Sequence, residues 1–109
     1  MQKVNAEHLP LWEILVPTHL NGNKIPVERH KEWDRHVAKT TGGLTVFSTV
    51  KGRWTDEEGV DVVERMIPVR IACDSSKMEV VADLTAEFYA QKAIIYYSIA
   101  MATIRTYSD

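Results

Sequence analysis

The alternation of apolar and polar residues predicts four strands and two helices in this chain. Residues 11–16 (LWEILV) form an apolar run that is too short for a helix and is closed by Pro17, which favours a buried strand. Residues 44–50 and 60–72 are rich in β-branched and aromatic residues and flank a Gly- and acid-rich connection, so they predict a hairpin. Residues 94–104 (IIYYSIAMATI) favour a last strand.

The two remaining periodic segments predict helices with recognisable ends. Helix one runs from Pro26 to Thr41, because proline suits the first helical position and the following Gly-Gly pair supplies a stop. Gly43 is expected to adopt the left-handed conformation that ends the helix, and Gly52 to turn the chain out of strand two. Helix two spans residues 76–90, where Asp74-Ser75-Ser76 offers caps and Ser76 with Glu79 matches a capping box.

The order β-α-β-β-α-β predicts an α+β fold, a ferredoxin-like sandwich with a four-stranded, antiparallel-type sheet and both helices on one face. We expect a single domain over residues 9–107, preceded by a short polar arm, residues 1–8. The other face of the sheet has no cover from the same chain, and we call it the open face.

Side-chain alternation assigns residues to the two faces of the sheet. In strand one, Trp12, Ile14 and Val16 are expected under the helices, while Trp54 at the hairpin end is expected to be more exposed than Trp12 and Trp33. Pro68 cannot donate to a ladder, so a bulge is expected there. The open face then receives apolar interface candidates, Leu11, Leu15, Phe47 and Met66, and polar ligand-binding candidates, Glu13, Glu64, Arg70 and Tyr96.

Composition narrows the function classes. Hydrophobic content of 45% and 26% charged residues are typical of globular domains, and a net charge of −2 disfavours a nucleic-acid partner. Cys73 is the lone cysteine, so no intramolecular disulfide forms. The sequence shows no apolar run long enough to span a membrane and no signal-peptide pattern at its start, which predicts a cytoplasmic protein without a membrane partner.

Several short motifs resemble a family of small uncharacterised bacterial and phage proteins with a ferredoxin-like core. The matching residues are Gly43-Leu44-Thr45-Val46, Gly52 and Trp54, Glu64, and Phe88-Tyr89 with Gln91, which together span residues 43–95. The resemblance implies the fold. It implies no activity, because none is established for that family.

Candidate chemistry is sparse. The four histidines lack the spacing that places two imidazoles on one helical face, so neither a metal site nor a cofactor is expected. Glu13, Glu64, Arg70 and Tyr96 could bind a polar ligand, although an ion pair between Arg70 and a glutamate explains the same residues. His19, at the end of strand one, is a further ligand-binding candidate or a loop residue.

Two functional hypotheses remain open. In the first, the chain is a non-enzymatic interaction or assembly protein, a homo-oligomer in which a second copy or another protein covers the apolar open face. In the alternative, it is a small enzyme or ligand-binding domain of the dimeric α+β barrel type.

Overall fold

The two central strands of the sheet are long segments rich in apolar residues. The computed structural model describes residues 3–108, in which β1 and β6 pair antiparallel with Leu11 opposite Ala72 and Pro17 opposite Met66. Both segments lie between two neighbouring strands, and this is where β-branched side chains are best packed. The elements in chain order are β1 (Lys3–Pro17), β2 (His19–Leu20), β3 (Asn23–Lys24), α1 (Val27–Thr41), β4 (Thr45–Val46), β5 (Val50–Thr55), β6 (Asp61–Ala72), α2 (Ser75–Phe88) and β7 (Tyr96–Ser108).

The ferredoxin-like α+β prediction is confirmed. The strand order is β4-β6-β1-β7, with β5 also paired to β6, and every strand pair is antiparallel. Both helices pack on one face of this sheet. The short β2-β3 hairpin, which the sequence had not predicted as strands, turns at Asn21 and Gly22, both of which have positive φ.

The hydrophobic core lies between the sheet and the helices, and Trp33 is its largest fully buried side chain. Ile14 and Val16 of β1 are 0% and 1% exposed, and Trp12 packs against the same cluster, as the alternation predicted. Trp54 is 37% exposed, so the predicted order of the three tryptophans also holds. The other buried members of the core are Ile25, Val37, Val69, Ile71, Cys73, Met78, Val81 and Tyr89.

The C-terminal end of α1 and the N-terminal end of α2 differ in detail from the predicted caps. Gly42, not Gly43, has the left-handed conformation (φ 94°), and its N–H donates to the carbonyl of Ala38. Helix α2 begins one residue before the predicted Ser76, because the Asp74 carboxylate accepts a hydrogen bond from the N–H of Lys77 at 2.9 Å. The capping-box prediction is therefore wrong, since an aspartate two residues upstream takes the N-cap position.

The predicted second strand is divided into β4 and β5, and Pro68 explains the interruption. The N–H of Phe47 donates to the carbonyl of Pro68 at 3.0 Å, so the nitrogen of Pro68, which carries no proton, faces the same edge strand. The irregularity lies in that edge strand, between β4 and β5, and not in the strand of Pro68 as we expected. Gly52 is also not a turn residue: it lies inside β5, opposite Glu64, and the hairpin turns at Gly59.

The first and last strands extend beyond the helices as a two-stranded ribbon. Residues 3–8, predicted as an arm, belong to β1 and pair with β7, with Lys3 opposite Ser108 and Pro10 opposite Met101. We call residues 3–10 and 101–108 the terminal ribbon. It makes the molecule elongated, 61 × 28 × 23 Å, with a radius of gyration of 16.1 Å. A compact chain of this length has a radius of gyration of about 13 Å.

No helix within residues 3–108 is both long enough and apolar enough to cross a membrane.

Candidate functional site on the open sheet face

An ion pair occupies the centre of the open face. Glu13 of β1 and Arg70 of β6 are directly opposite in the ladder, and Arg70 Nε donates to Glu13 Oε1 at 3.1 Å. Tyr97 of β7 stands opposite Glu13 on the other side, and its hydroxyl donates to Glu13 Oε2. The guanidinium of Arg70 also lies 4.6 Å from the ring centroid of Phe47. The carboxylate of Glu13 is thus bound from both sides. The Arg70–Glu13 contact is the ion pair that the sequence analysis gave as the alternative to a ligand-binding role for these residues.

These side chains line a cavity of about 480 Å³, which we call the central hollow. The hydrogen bond to Glu13 raises the pKa of Tyr97, with smaller contributions from burial and from the Glu13 charge. Tyr97 is therefore a protonated donor at neutral pH. Arg70 is 43% exposed along its side chain, so its guanidinium faces the hollow with donors that Glu13 does not use. The hollow is also lined by Leu15, Ser48, Thr49, Val50, Lys51, Gly52, Met66 and Pro68.

Tyr96, a predicted site residue, lies on the wrong face for this role. It pairs with Ile14, whose side chain is fully buried, and residues directly opposite in a ladder share a face. Its ring packs edge-on against Trp12 at 5.9 Å between centroids. The polar tyrosine of the open face is its neighbour Tyr97. The sequence pattern does not fix the register of this strand, and the pairing of Tyr97 with Glu13 and of Tyr96 with Ile14 decides which tyrosine faces the open side.

A second cavity lies further along the same face, at the Pro17 end of β1. This cavity of about 220 Å³, which we call the distal hollow, brings together Trp54, Glu64 and Gln91 from β5, β6 and the α2-β7 connection. Leu15 and Met66 line both hollows and separate them. The remaining lining residues are Pro17, Ala93, Ile94 and Ile95.

Gly52 leaves room for the ring of Trp54. A Cβ atom at Gly52 would be 2.9 Å from Cζ3 of Trp54, so the indole covers the space that a side chain would fill. Gly52 is directly opposite Glu64 in the ladder. The Gly52-x-Trp54 spacing therefore has a local physical reason, beyond the family resemblance.

The predicted site residues thus fall into three groups. Glu13 and Arg70 meet in the central hollow, Glu64 lines the distal hollow, and His19 lines neither. His19 lies in the β2-β3 hairpin, where its Nδ1 is 2.8 Å from the hydroxyl of Thr18. Of the predicted interface residues, Phe47 is 41% exposed, whereas Met66 is only 9% exposed and is largely covered by its own chain.

Another polar group lies between the helices. The hydroxyl of Tyr89 is 2.7 Å from His30 Nδ1, and burial raises the pKa of Tyr89 and lowers that of His30. The Tyr89 hydroxyl thus keeps its proton, and a neutral His30 can accept a hydrogen bond from it. Burial also raises the pKa of Asp34, the neighbour four residues along α1. No group of three or more His, Cys, Asp and Glu side chains within residues 3–108 is placed to hold a metal ion.

Comparison with known proteins shows the fold. No protein-family model and no curated protein sequence matches this chain. Among solved structures, it is similar to the periplasmic divalent cation tolerance protein CutA from Archaeoglobus fulgidus, with 14% identity over 86% of this chain and 83% of that one, at a TM-score of 0.62. It is also similar to a phage SAM lyase in complex with S-methyl-5'-thioadenosine, with 14% identity, 88% of each chain covered and a TM-score of 0.63. The apo form of CPII from Thiomonas intermedia K12, a nitrogen regulatory PII-like protein, matches 98% of this chain and all of its own at 14% identity and a TM-score of 0.52.

Proposed function

We propose that this chain functions as a homo-oligomer in which second copies cover the terminal ribbon and the open face. The observation that carries the proposal is the terminal ribbon. An isolated two-stranded ribbon is at best marginally stable in water, and this one carries apolar side chains on both faces. Met101 and Tyr107 are 65% and 53% exposed on the helix side, and Ile104 is 43% exposed on the open-face side.

The two edges of the sheet differ in length and charge, and this difference supports the same conclusion. The β4-β5 edge is interrupted, and β5 carries Lys51 and Arg53, which are features that protect edges from pairing. The β7 edge is a 13-residue strand whose single charged residue is Arg105. Along the described chain, nothing pairs with its outer side. A long, weakly charged edge is a template for another strand.

A second copy is the occupant that fits best, because partly exposed apolar side chains continue from the ribbon into the open face. Leu9 and Leu11 point to the same side as Ile104, and they line one cavity with it. Full burial of a side chain such as Met or Ile contributes about 1.5–3 kcal/mol before the cost of association is subtracted. Several such side chains from each copy are enough for a stable complex.

The test is the molar mass in solution by size-exclusion chromatography with light scattering. We expect the wild type to be at least a dimer of the 12.4 kDa chain. The double variant Met101→Lys with Ile104→Lys should be a monomer with an unchanged circular dichroism spectrum, because both side chains are exposed in the single chain. Val80→Lys, at a 53% exposed position on α2, is the matched control and should leave the mass unchanged. A monomeric wild type, or a double variant with wild-type mass, would show that the proposal is wrong.

The central hollow favours a second candidate, a small-molecule binder or enzyme at the open face. Its support is the guanidinium of Arg70 beside the aromatic ring of Phe47 in a cavity of about 480 Å³, a size within the range of ligand sites. The phage SAM lyase with the same fold was solved with S-methyl-5'-thioadenosine, so this nucleoside is the first compound to test. A ligand that binds only the folded chain raises its melting temperature. Binding here predicts a rise that Arg70→Met abolishes, and the absence of any rise removes support for this candidate.

A further inference from the structure

The distal hollow brings together Trp54, Glu64 and Gln91, and none of these residues belongs to the terminal ribbon that carries the proposed oligomer. It lies at the Pro17 end of β1, whereas the terminal ribbon begins at the opposite end of that strand. From residue 10 to residue 17 a strand advances by roughly 23 Å. The hollow is thus a separate feature of the open face.

The charge of the hollow is negative and has no counter-ion in the described chain. Glu64 is the single charged residue among those lining it, is half-buried, and makes no ion pair within residues 3–108. A carboxylate that meets no positive group of its own chain is a counter-ion for a bound cation, through a charge-assisted hydrogen bond.

The second polar group of the hollow, the side-chain amide of Gln91, also favours a ligand that donates hydrogen bonds. Gln91 Nε2 donates to the carbonyl of Tyr89 at 2.9 Å, which fixes the amide and leaves its Oε1 as an acceptor with no partner within residues 3–108. The amide oxygen and the Glu64 carboxylate both accept hydrogen bonds. The indole of Trp54, held over Gly52, adds an aromatic surface of the kind that attracts cations.

The remaining walls are apolar, which limits the ligand further. Leu15, Met66, Ile94 and Ile95 offer no hydrogen bonds through their side chains, so the ligand carries an apolar body next to its charge. The volume of about 220 Å³ corresponds to roughly seven water molecules at about 30 Å³ each. A hydrated metal ion has no apolar body and does not match this lining.

We propose that the distal hollow binds a small protonated amine with a short apolar chain, with Glu64 as its counter-ion, Gln91 as a second acceptor and Trp54 against its charged end. This inference goes beyond the proposed function and does not depend on it. The β5-β6 hairpin and the α2-β7 connection supply the polar and aromatic groups, while β1 supplies part of the apolar wall.

The test uses the indole N–H signals in nitrogen-proton correlation spectra of the full chain. Trp12 donates to the carbonyl of Cys73 and Trp33 to the hydroxyl of Thr85, so these two signals act as internal references. Titration with n-pentylammonium should shift the Trp54 signal in a saturable manner and leave the other two in place. The neutral analogue 1-pentanol and the anion pentanoate should shift it far less.

Glu64→Gln keeps the size of the side chain and removes its charge. It should raise the dissociation constant for n-pentylammonium about tenfold or more, because a charge-assisted hydrogen bond is lost. Glu57→Gln, at an exposed position in the hairpin turn, should bind as the wild type does. An absent or unsaturable shift, an equal response to 1-pentanol, or undiminished binding by Glu64→Gln would each overturn the proposal. Molar mass measured on the same samples tests the oligomer separately.

Discussion

The Thr85 hydroxyl joins two elements of the core, and its removal gives a sharp test of the packing. Thr85 of α2 is 0% exposed, donates to the carbonyl of Val81 at 2.6 Å and accepts the indole N–H of Trp33 of α1 at 3.1 Å. Thr85→Val replaces the hydroxyl by a methyl group of nearly the same volume. No cavity forms, but the Trp33 N–H loses its acceptor in a region where Trp33 is 1% exposed.

The expected loss of stability follows from the Trp33 N–H that has lost its acceptor. A buried donor without a partner costs about 1–3 kcal/mol, whereas the carbonyl of Val81 keeps its helical hydrogen bond. At about 2.1 cal/mol/K per residue, unfolding of 109 residues has an entropy of roughly 230 cal/mol/K. Each kcal/mol therefore lowers the melting temperature by about 4 °C, and Thr85→Val should lower it by about 4–13 °C.

Thermal melts by circular dichroism measure this effect, at one fixed protein concentration because association shifts the melting temperature. Thr85→Ser is the matched control: it keeps the hydroxyl and loses one methyl group. Combining Thr85→Val with Trp33→Phe removes donor and acceptor together, so the two changes should cost less than the sum of the single variants by about 1 kcal/mol. A wild-type melting temperature for Thr85→Val, or strict additivity in the double variant, would refute the reasoning.

Two other positions give independent predictions. Gly42→Ala should destabilise the chain by about 1 kcal/mol, because φ is 94° there while the space for a Cβ is free. Gly43→Ala, which lacks the positive φ, should stay within about 0.5 kcal/mol in denaturant titrations, and equal effects would contradict the cap assignment. Burial lowers the pKa of His30 from 6.5, so the folded chain binds fewer protons than the unfolded chain just below that pH. Stability should therefore rise with pH through this window and be lost as pH falls. His30→Gln should flatten that slope, and an unchanged slope would exclude His30 as its origin. The raised pKa of Asp34 acts in the opposite direction, at pH values starting from about 3.8.

The fold class and the core were largely contained in the local pattern of the chain. The alternation in residues 11–16 assigned Trp12, Ile14 and Val16 correctly, because a strand between two neighbours must bury one complete face. The position of helix one followed from Pro26 and the Gly-Gly pair in the same way. These features depend on residues close in sequence, whose propensities act before any tertiary contact forms.

Tertiary pairing decided the features on which function depends. Residues 3–8 look like a polar arm because their strand is stabilised by β7, almost a hundred residues later, and not by its own apolar content. Tyr97 lies on the open face in place of the predicted Tyr96, because the face of a side chain depends on register and a shift of one residue inverts it.

The distal hollow also depends on both local sequence and long-range pairing. Gly52, Trp54, Glu64 and Gln91 were visible in the sequence as separate signatures, but only the β5-β6 ladder and the end of α2 bring three of them to one cavity. Local sequence sets which residues can form a strand or a helix. Long-range register sets which side chains meet, because it is the one property that no short segment of the chain carries.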